Sequence, residues 1–142
     1  MKVSDWLRQH PIKAGVVQED WSLEQIMDEL LGNSRLKDLY VLDSNKQVIG
    51  HLNYKKLARL VLAEHCAHHT RNQLLERVAA GSAVELMEAH FVSANPDESL
   101  DEILYRQLDH WVEDLPVINQ QGELLGVINL SDILLEVMKA ED

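Results

Sequence analysis

The chain repeats itself. Asp38-Leu39-Tyr40-Val41-Leu42 stands over Asp114-Leu115-Pro116-Val117-Ile118, and the match continues without a gap. Val48-Ile49-Gly50 falls on Leu124-Leu125-Gly126, Asn53 on Asn129 and Val61 on Val137. Upstream, Ser22-Leu23-Glu24-Gln25-Ile26 matches Ser99-Leu100-Asp101-Glu102-Ile103 with the offset changed by one. After a further slip, Asp5-Trp6-Leu7 and His10 match Glu85-Leu86-Met87 and His90. Four blocks in the same order, separated only by loop-sized slips, are a duplication, and a duplication dictates that one supersecondary unit is built twice.

Each copy reads as the same unit. Ser22 with Gln25, and Ser99 with Glu102, form capping boxes that open helices. Behind the first, Leu23, Ile26, Met27, Leu30 and Leu31 recur at helical spacing; behind the second, Leu100, Ile103, Leu104, Leu108 and Trp111 do so. These stripes are read as core. Two short apolar runs follow, 39–42 and 48–52, split by Asp43-Ser44-Asn45-Lys46; the second copy has 115–118 and 124–128 split by Asn119-Gln120-Gln121-Gly122. Such pairs around a polar turn predict hairpins. A closing helix follows each hairpin, with Leu130, Ile133, Leu134, Val137 and Met138 as the second one's core stripe. A short strand is expected before each first helix, around Ile12–Val17 and Phe91–Ser93. The expected organisation is a first repeat over 1–64, a helical linker over 65–82 and a second repeat over 83–142.

Composition limits what such a unit can do. At 142 residues with 46% apolar and 26% charged residues, the chain is globular, and with only 5% aromatics its core must be mainly aliphatic. No apolar run reaches the length of a spanning helix, and the start has no secretory apolar region, so a cytoplasmic protein without membrane insertion is expected. A net charge of −11 repels phosphate backbones and anionic lipid, which argues against nucleic acid as a partner. A small anion in a local pocket remains compatible with it. Cys66 stands alone, so no internal disulfide forms.

The helix, the hairpin opening Leu115-Pro116-Val117-Ile118, the glycine of Gly126-Val127-Ile128 and the helix carrying Asp132-Ile133-Leu134 resemble the CBS domain, named for cystathionine β-synthase. The resemblance covers nearly the whole chain as a tandem pair, often called a Bateman module. It implies an α/β (α+β) fold of two βαββα units about a pseudo-twofold axis, sheets packed together and helices outside. It also implies a homodimer, and clefts that take adenosine-containing ligands: AMP, ADP, ATP or S-adenosylmethionine. The output would be regulation of a separate effector, whether enzyme, transporter or channel.

The family's ligand motif is a strand glycine, then Thr or Ser, then Asp in the first turn of the closing helix. A hydroxyl and free N–H groups at a helix start receive phosphate, while the carboxylate accepts from ribose hydroxyls. The second copy reads Gly126-Val127-Ile128-Asn129-Leu130-Ser131-Asp132, with Asn129 in place of the hydroxyl residue. The resemblance thus nominates Asp132, Asn129 and Ser131, with Leu115, Pro116 and Val92 as walls for an adenine. Asn129 and Asp132 also suit an N-cap and a helix dipole with no ligand at all. In the first copy, Gly50-His51-Leu52-Asn53-Tyr54-Lys55-Lys56 carries Lys56 where the Asp would stand. Lysine cannot accept from ribose, although it can meet a phosphate, so Asn53 and Lys56 are the weaker half.

Outside the repeat blocks, Glu64-His65-Cys66-Ala67-His68-His69 places His65 and His69 one helical turn apart, a spacing that can share a metal. A polar linker helix, or a pH-sensitive contact, is the alternative reading. No phosphate-binding Gly-rich loop, zinc-protease helix or nucleophile elbow occurs, so no catalysis and no obligatory cofactor are expected. The competing functional class is a protein-interaction module whose clefts hold nothing.

Overall fold

Ser22 and Gln25 satisfy each other's backbone: Ser22 N donates to Gln25 Oε1 at 2.9 Å, and Gln25 N to Ser22 Oγ at 3.3 Å. In the second copy Ser99 Oγ accepts from Glu102 N at 3.3 Å. Each cap supplies an orphan N–H of a first turn with an acceptor, and a helix starts there. A computed structural model describes residues 1–12, 14–32, 38–59 and 81–141. Its elements run α1 (Val3–Gln9), β1 (Gly15–Gln18), α2 (Leu23–Gly32), β2 (Asp38–Leu42) and β3 (Val48–Asn53), then α3, helical over 54–59. After these come α4 (Ala83–Leu86), α5 (Leu100–His110), β4 (Asp114–Ile118), β5 (Leu124–Asn129) and α6 (Leu130–Glu141).

Both hairpins are antiparallel and share a register: Asp38 faces Asn53 and Gly50 faces Val41, as Asp114 faces Asn129 and Gly126 faces Val117. Their turns share a mechanism too. Asp43 Oδ1 accepts from Asn45 N and Gln47 N, and Asn119 Oδ1 from Gln121 N and Glu123 N, at 2.8–3.0 Å. Lys46 (φ 63°) and Gly122 (φ 81°) occupy equivalent left-handed positions.

The strands expected before α2 and α5 differ in outcome. β1 pairs in parallel with β2 over four residues, making the sheet β1-β2-β3. The counterpart is reduced to one parallel bridge, Ala94 with Val117, beside the two-stranded sheet β4-β5. Beyond this bridge, Pro96 removes one further bond. It stands where Glu19 stands in the first copy, and Glu19 N donates to Leu42 O at 3.0 Å. Proline has no N–H to give, and Asn95 turns the chain away by accepting from Asp97 N at 3.0 Å.

Contacts group the chain into two compact units, and the grouping exchanges the leading segments. Gly15–Phe91 forms the β2–β3 unit; Met1–Ala14 with Val92–Asp142 forms the β4–β5 unit. Helix α1 therefore packs with the second copy's hairpin, and α4 with the first copy's. The cores correspond position by position: Ile26, Leu39, Val41, Leu52 and Leu57 in one, Ile103, Leu115, Val117, Ile128 and Ile133 in the other. Leading helices contribute Ala83 and Val3 at matching places.

The core reading of the apolar stripes holds only for their inner residues. Leu31 is 72% exposed, Leu108 49%, Trp111 92%, Leu134 50%, Val137 45% and Met138 62%. Helix α5 ends at His110, and Trp111 turns left-handed (φ 55°, ψ 44°) as its C-cap, which swings the indole away from the stripe. A non-glycine residue there costs about 1 kcal/mol. Among the residues of α6 whose burial is described, Ile133 alone is buried, so the helix carries its stripe beyond the core.

The strand glycines are where the leading helices press down. A Cβ on Gly50 would lie 2.1 Å from Met87 Sδ and 3.0 Å from Met87 Cβ; on Gly126 it would lie 3.1 Å from Leu7 Cδ2. Gly50→Ala should therefore cost about 1–3 kcal/mol as an overpacked contact, and Gly126→Ala less than about 1 kcal/mol. Urea unfolding of the two variants measures the difference, and equal costs would contradict the packing described.

Candidate functional site

The nominated residues of the second copy meet where β5 turns into α6. Asn129 ends the strand and caps the helix, its Oδ1 accepting from Asp132 N at 3.3 Å while its Nδ2 donates to Asp114 Oδ1 at 2.7 Å. Both ends of the amide are thus engaged. Leu130 N donates to Glu113 O at 2.8 Å, which fixes the entry into the helix. Ser131 is exposed, and Asp132 is half-buried in the first turn, its carboxylate without a hydrogen-bond partner among the described residues. Leu115 lies wholly in the core and Pro116 is buried; Val92 is partly buried and packs against the same cluster. Pro116 O accepts from Ala94 N at 2.9 Å, holding the segment after Val92 alongside β4.

Two residues that sequence reasoning passed over hold this corner. Gln107 is fully buried where the first copy has the apolar Leu30. Its Nε2 donates to Glu113 O at 3.1 Å and Ile128 O at 3.2 Å, gripping the backbone before β4 and near the end of β5, while its Oε1 has no partner among the described residues. A glutamine within an apolar helical stripe was the visible signal. Arg106 is the other. Its Nη1 donates to Ser93 O at 2.7 Å and Glu98 Oε1 at 2.9 Å, and its Nη2 to Glu98 Oε2, tying the 93–98 segment to α5. The hydrogen-bonded guanidinium holds the Glu98 carboxyl below the usual glutamate range, against the opposing effect of burial, and Glu98 raises Arg106 in return.

The equivalent corner of the first copy is closed by its own side chains. Asn53 Oδ1 accepts from Lys55 N at 2.7 Å. Lys56 Nζ donates to Glu88 Oε1 at 2.8 Å, and this bond holds the exposed Glu88 carboxyl below its ordinary range. His51 Nε2 lies 2.9 Å from Asp38 Oδ1, so the strand carboxylate that meets Asn129 in the second copy is met here by a residue with no polar equivalent there. The ring stands 5.4 Å from buried Tyr40 and 6.3 Å from Phe91, centroid to centroid. His51 and Glu88 also exchange both backbone bonds, at 2.9 and 2.8 Å. Residues 32 apart in sequence make the Lys56–Glu88 pair, and no local pattern announces it.

His65 and His69 lie outside the described residues. Among the described residues, no three His, Cys, Asp or Glu side chains converge on a metal-sized site. No helix among them is long and apolar enough to cross a membrane.

Residues 83–139 match the CBS domain family. That stretch, α4 through α6, is a CBS domain. Along nearly its whole length the chain is similar in fold to a CBS-domain-containing protein from Thermotoga maritima: 27% identity, TM-score 0.77, 98% of this chain and 95% of that one. The structure of CBSX2 in complex with AMP superposes with TM-score 0.76 at 19% identity, over 99% of this chain and 98% of that one. A curated relative is the inosine-5'-monophosphate dehydrogenase of Nitrosopumilus maritimus (strain SCM1), 24% identical over 131 residues. That match takes in 84% of this chain but 28% of the enzyme, so the chain spans under a third of that relative. The two corners thus differ in charge and in commitment, Lys56 bound to Glu88 in one and Asp132 open in the other.

The Glu98–Arg106 pair makes a pH prediction. A carboxyl whose folded value lies below its unfolded one stabilises the fold above the unfolded value, and that contribution is lost as pH falls through the folded value. Stability should therefore fall with acidification below about pH 4.3. Glu98→Gln should remove this part of the slope and cost about 1 kcal/mol at neutral pH, discounted for partial exposure. Thermal unfolding of both proteins from neutral pH downward checks it; identical slopes would contradict it.

Proposed function

We propose that this CBS-domain protein is a cytoplasmic regulatory module that binds an adenosine-containing ligand through the β4–β5 unit. The open Asp132 carboxylate carries the reading. It sits in the first turn of α6, where the family's ligand motif has its Asp, and an unpaired carboxylate at that place suits two ribose hydroxyls. Ser131 beside it can meet a phosphate oxygen, and Pro116 and Val92 supply apolar or backbone contacts for the base. That a similar fold has been solved with AMP supports the ligand class. AMP, ADP, ATP and S-adenosylmethionine are the candidates. The first copy contributes less, because Asn53 and Lys56 already serve neighbours.

The resemblance further implies self-association into a homodimer and an output delivered to a separate enzyme, transporter or channel. The competing reading, an interaction module without ligand, draws on Asn129, whose amide is engaged at both ends where the family carries a hydroxyl.

Titration calorimetry of the full chain with the four ligands separates these readings. At least one should bind, and Asp132→Ala should weaken it by about tenfold or more, the loss of hydrogen bonds to a charged acceptor. Absence of heat with all four would leave the interaction module as the function. Unchanged affinity in the variant would move the site elsewhere.

A further inference from the structure

Among the described residues, Gln107 is the one buried polar side chain. It takes the place that Leu30 has in the first copy, where a hydrocarbon fills the equivalent position and is buried as well. A core needs nothing more there. The glutamine instead carries a penalty, because its Oε1 is buried without a partner among the described residues and forfeits the bonds it had with water. A penalty taken in one copy only directs attention to what the other end of the amide holds.

That end holds both approaches to the β5–α6 turn. Gln107 Nε2 donates to Ile128 O, the carbonyl just ahead of Asn129, at 3.2 Å, and to Glu113 O at 3.1 Å. Glu113 O in turn accepts from Leu130 N, just after Asn129, at 2.8 Å. Asn129 is thus pinned on either side through one side chain, and from there its Oδ1 accepts from Asp132 N at 3.3 Å. In the first copy Asn53 Oδ1 accepts from Lys55 N at 2.7 Å, the amide that corresponds to Ser131 rather than to Asp132. The copy with glutamine caps the third residue after its asparagine; the copy with leucine caps the second.

We propose that Gln107 is a positioning residue for the ligand corner: by fixing Ile128 and Glu113 it sets the cap on Asp132 and so orients that carboxylate. The proposal rests on the reading that Asp132 meets the ligand, and it names what makes the second corner competent where the first is not. A primary amide suits the task because its two N–H groups lie in one plane and can serve two carbonyls at once, which leucine cannot do. Being fully buried, Gln107 acts on a ligand only through the turn it holds.

Gln107→Leu, which introduces the residue type of the first copy, tests this in the full chain. Without ligand, amide hydrogen exchange read by NMR should be at least about fivefold faster at Asp132 and slower at Ser131, as the cap moves back along the turn. Calorimetry with whichever of AMP, ADP, ATP and S-adenosylmethionine binds the wild type most tightly should show affinity reduced about three- to tenfold, the scale of a net hydrogen bond. In an Asp132→Ala background the same substitution should change affinity by less than about twofold, because its effect passes through Asp132. Should leucine prevent folding, Gln107→Met keeps the length of the side chain and carries the same expectations. An unmoved Asp132 amide, an unchanged affinity, or an equal loss with and without Asp132 overturns the positioning role and leaves the ligand corner standing. A wild type that binds none of the four, or that binds equally well as Asp132→Ala, overturns the ligand corner and the positioning role together.

Discussion

Each hairpin of this protein is completed by a leading helix from the other end of the repeat order, and the contact is close. Met87 lies on Gly50 and Leu7 lies on Gly126, so near that the strand can carry no side chain larger than hydrogen without displacing its neighbour. Everything else is arranged around this constraint. Val3 and Trp6 of α1 belong to the core that holds Ile103, Leu115 and Ile128, and Ala83 of α4 to the core of Ile26, Leu39 and Leu52. Neither copy, cut out as a continuous stretch of sequence, contains its own lid. A fragment beginning at α4 would keep β4, β5 and α6 but lose Val3, Trp6 and Leu7, leaving the inner face of its hairpin in water. The duplication is thus built into two units that exchange their leading helices along the chain.

The leading helices fix each unit's scaffold and leave its corner free to diverge. Where strand meets closing helix, the backbone pattern is held by Asn53 and Asn129 alike. Three residues further on, the first copy has Lys56 neutralised by Glu88 and the second has Asp132 without a partner among the described residues. A charge already paired has less to offer a ligand than one still able to accept. Gln107 reinforces the second corner by taking the carbonyls of Glu113 and Ile128, where the first copy has only the apolar Leu30. The asymmetry is therefore built into the core as well as the surface.

Much of this was legible in the residues. The repeat, both capping boxes, both hairpins and the strand glycines followed from spacing and turn chemistry, because those signals act within a few residues. The missing bond after Ala94 was also written there, in Pro96, but its meaning depends on knowing that Glu19 donates from the matching place. What could not be read was long-range. Nothing local distinguishes an apolar helical residue that meets a core from one that runs past it, so Leu108, Trp111, Leu134, Val137 and Met138 read as core and stand exposed. The exchange of α1 and α4 between units, and the Lys56–Glu88 and Arg106–Glu98 pairs, depend on tertiary placement that periodicity does not carry.

The central claim is that one corner, the open one, takes the ligand. Amide chemical-shift mapping of the isotopically labelled full chain during titration with AMP tests it residue by residue. The account predicts the largest perturbations at Ser131, Asp132 and Val92, with Asn53, Lys56 and Glu88 nearly still. Perturbations centred on Lys56 and Glu88, with Asp132 unmoved, would contradict it.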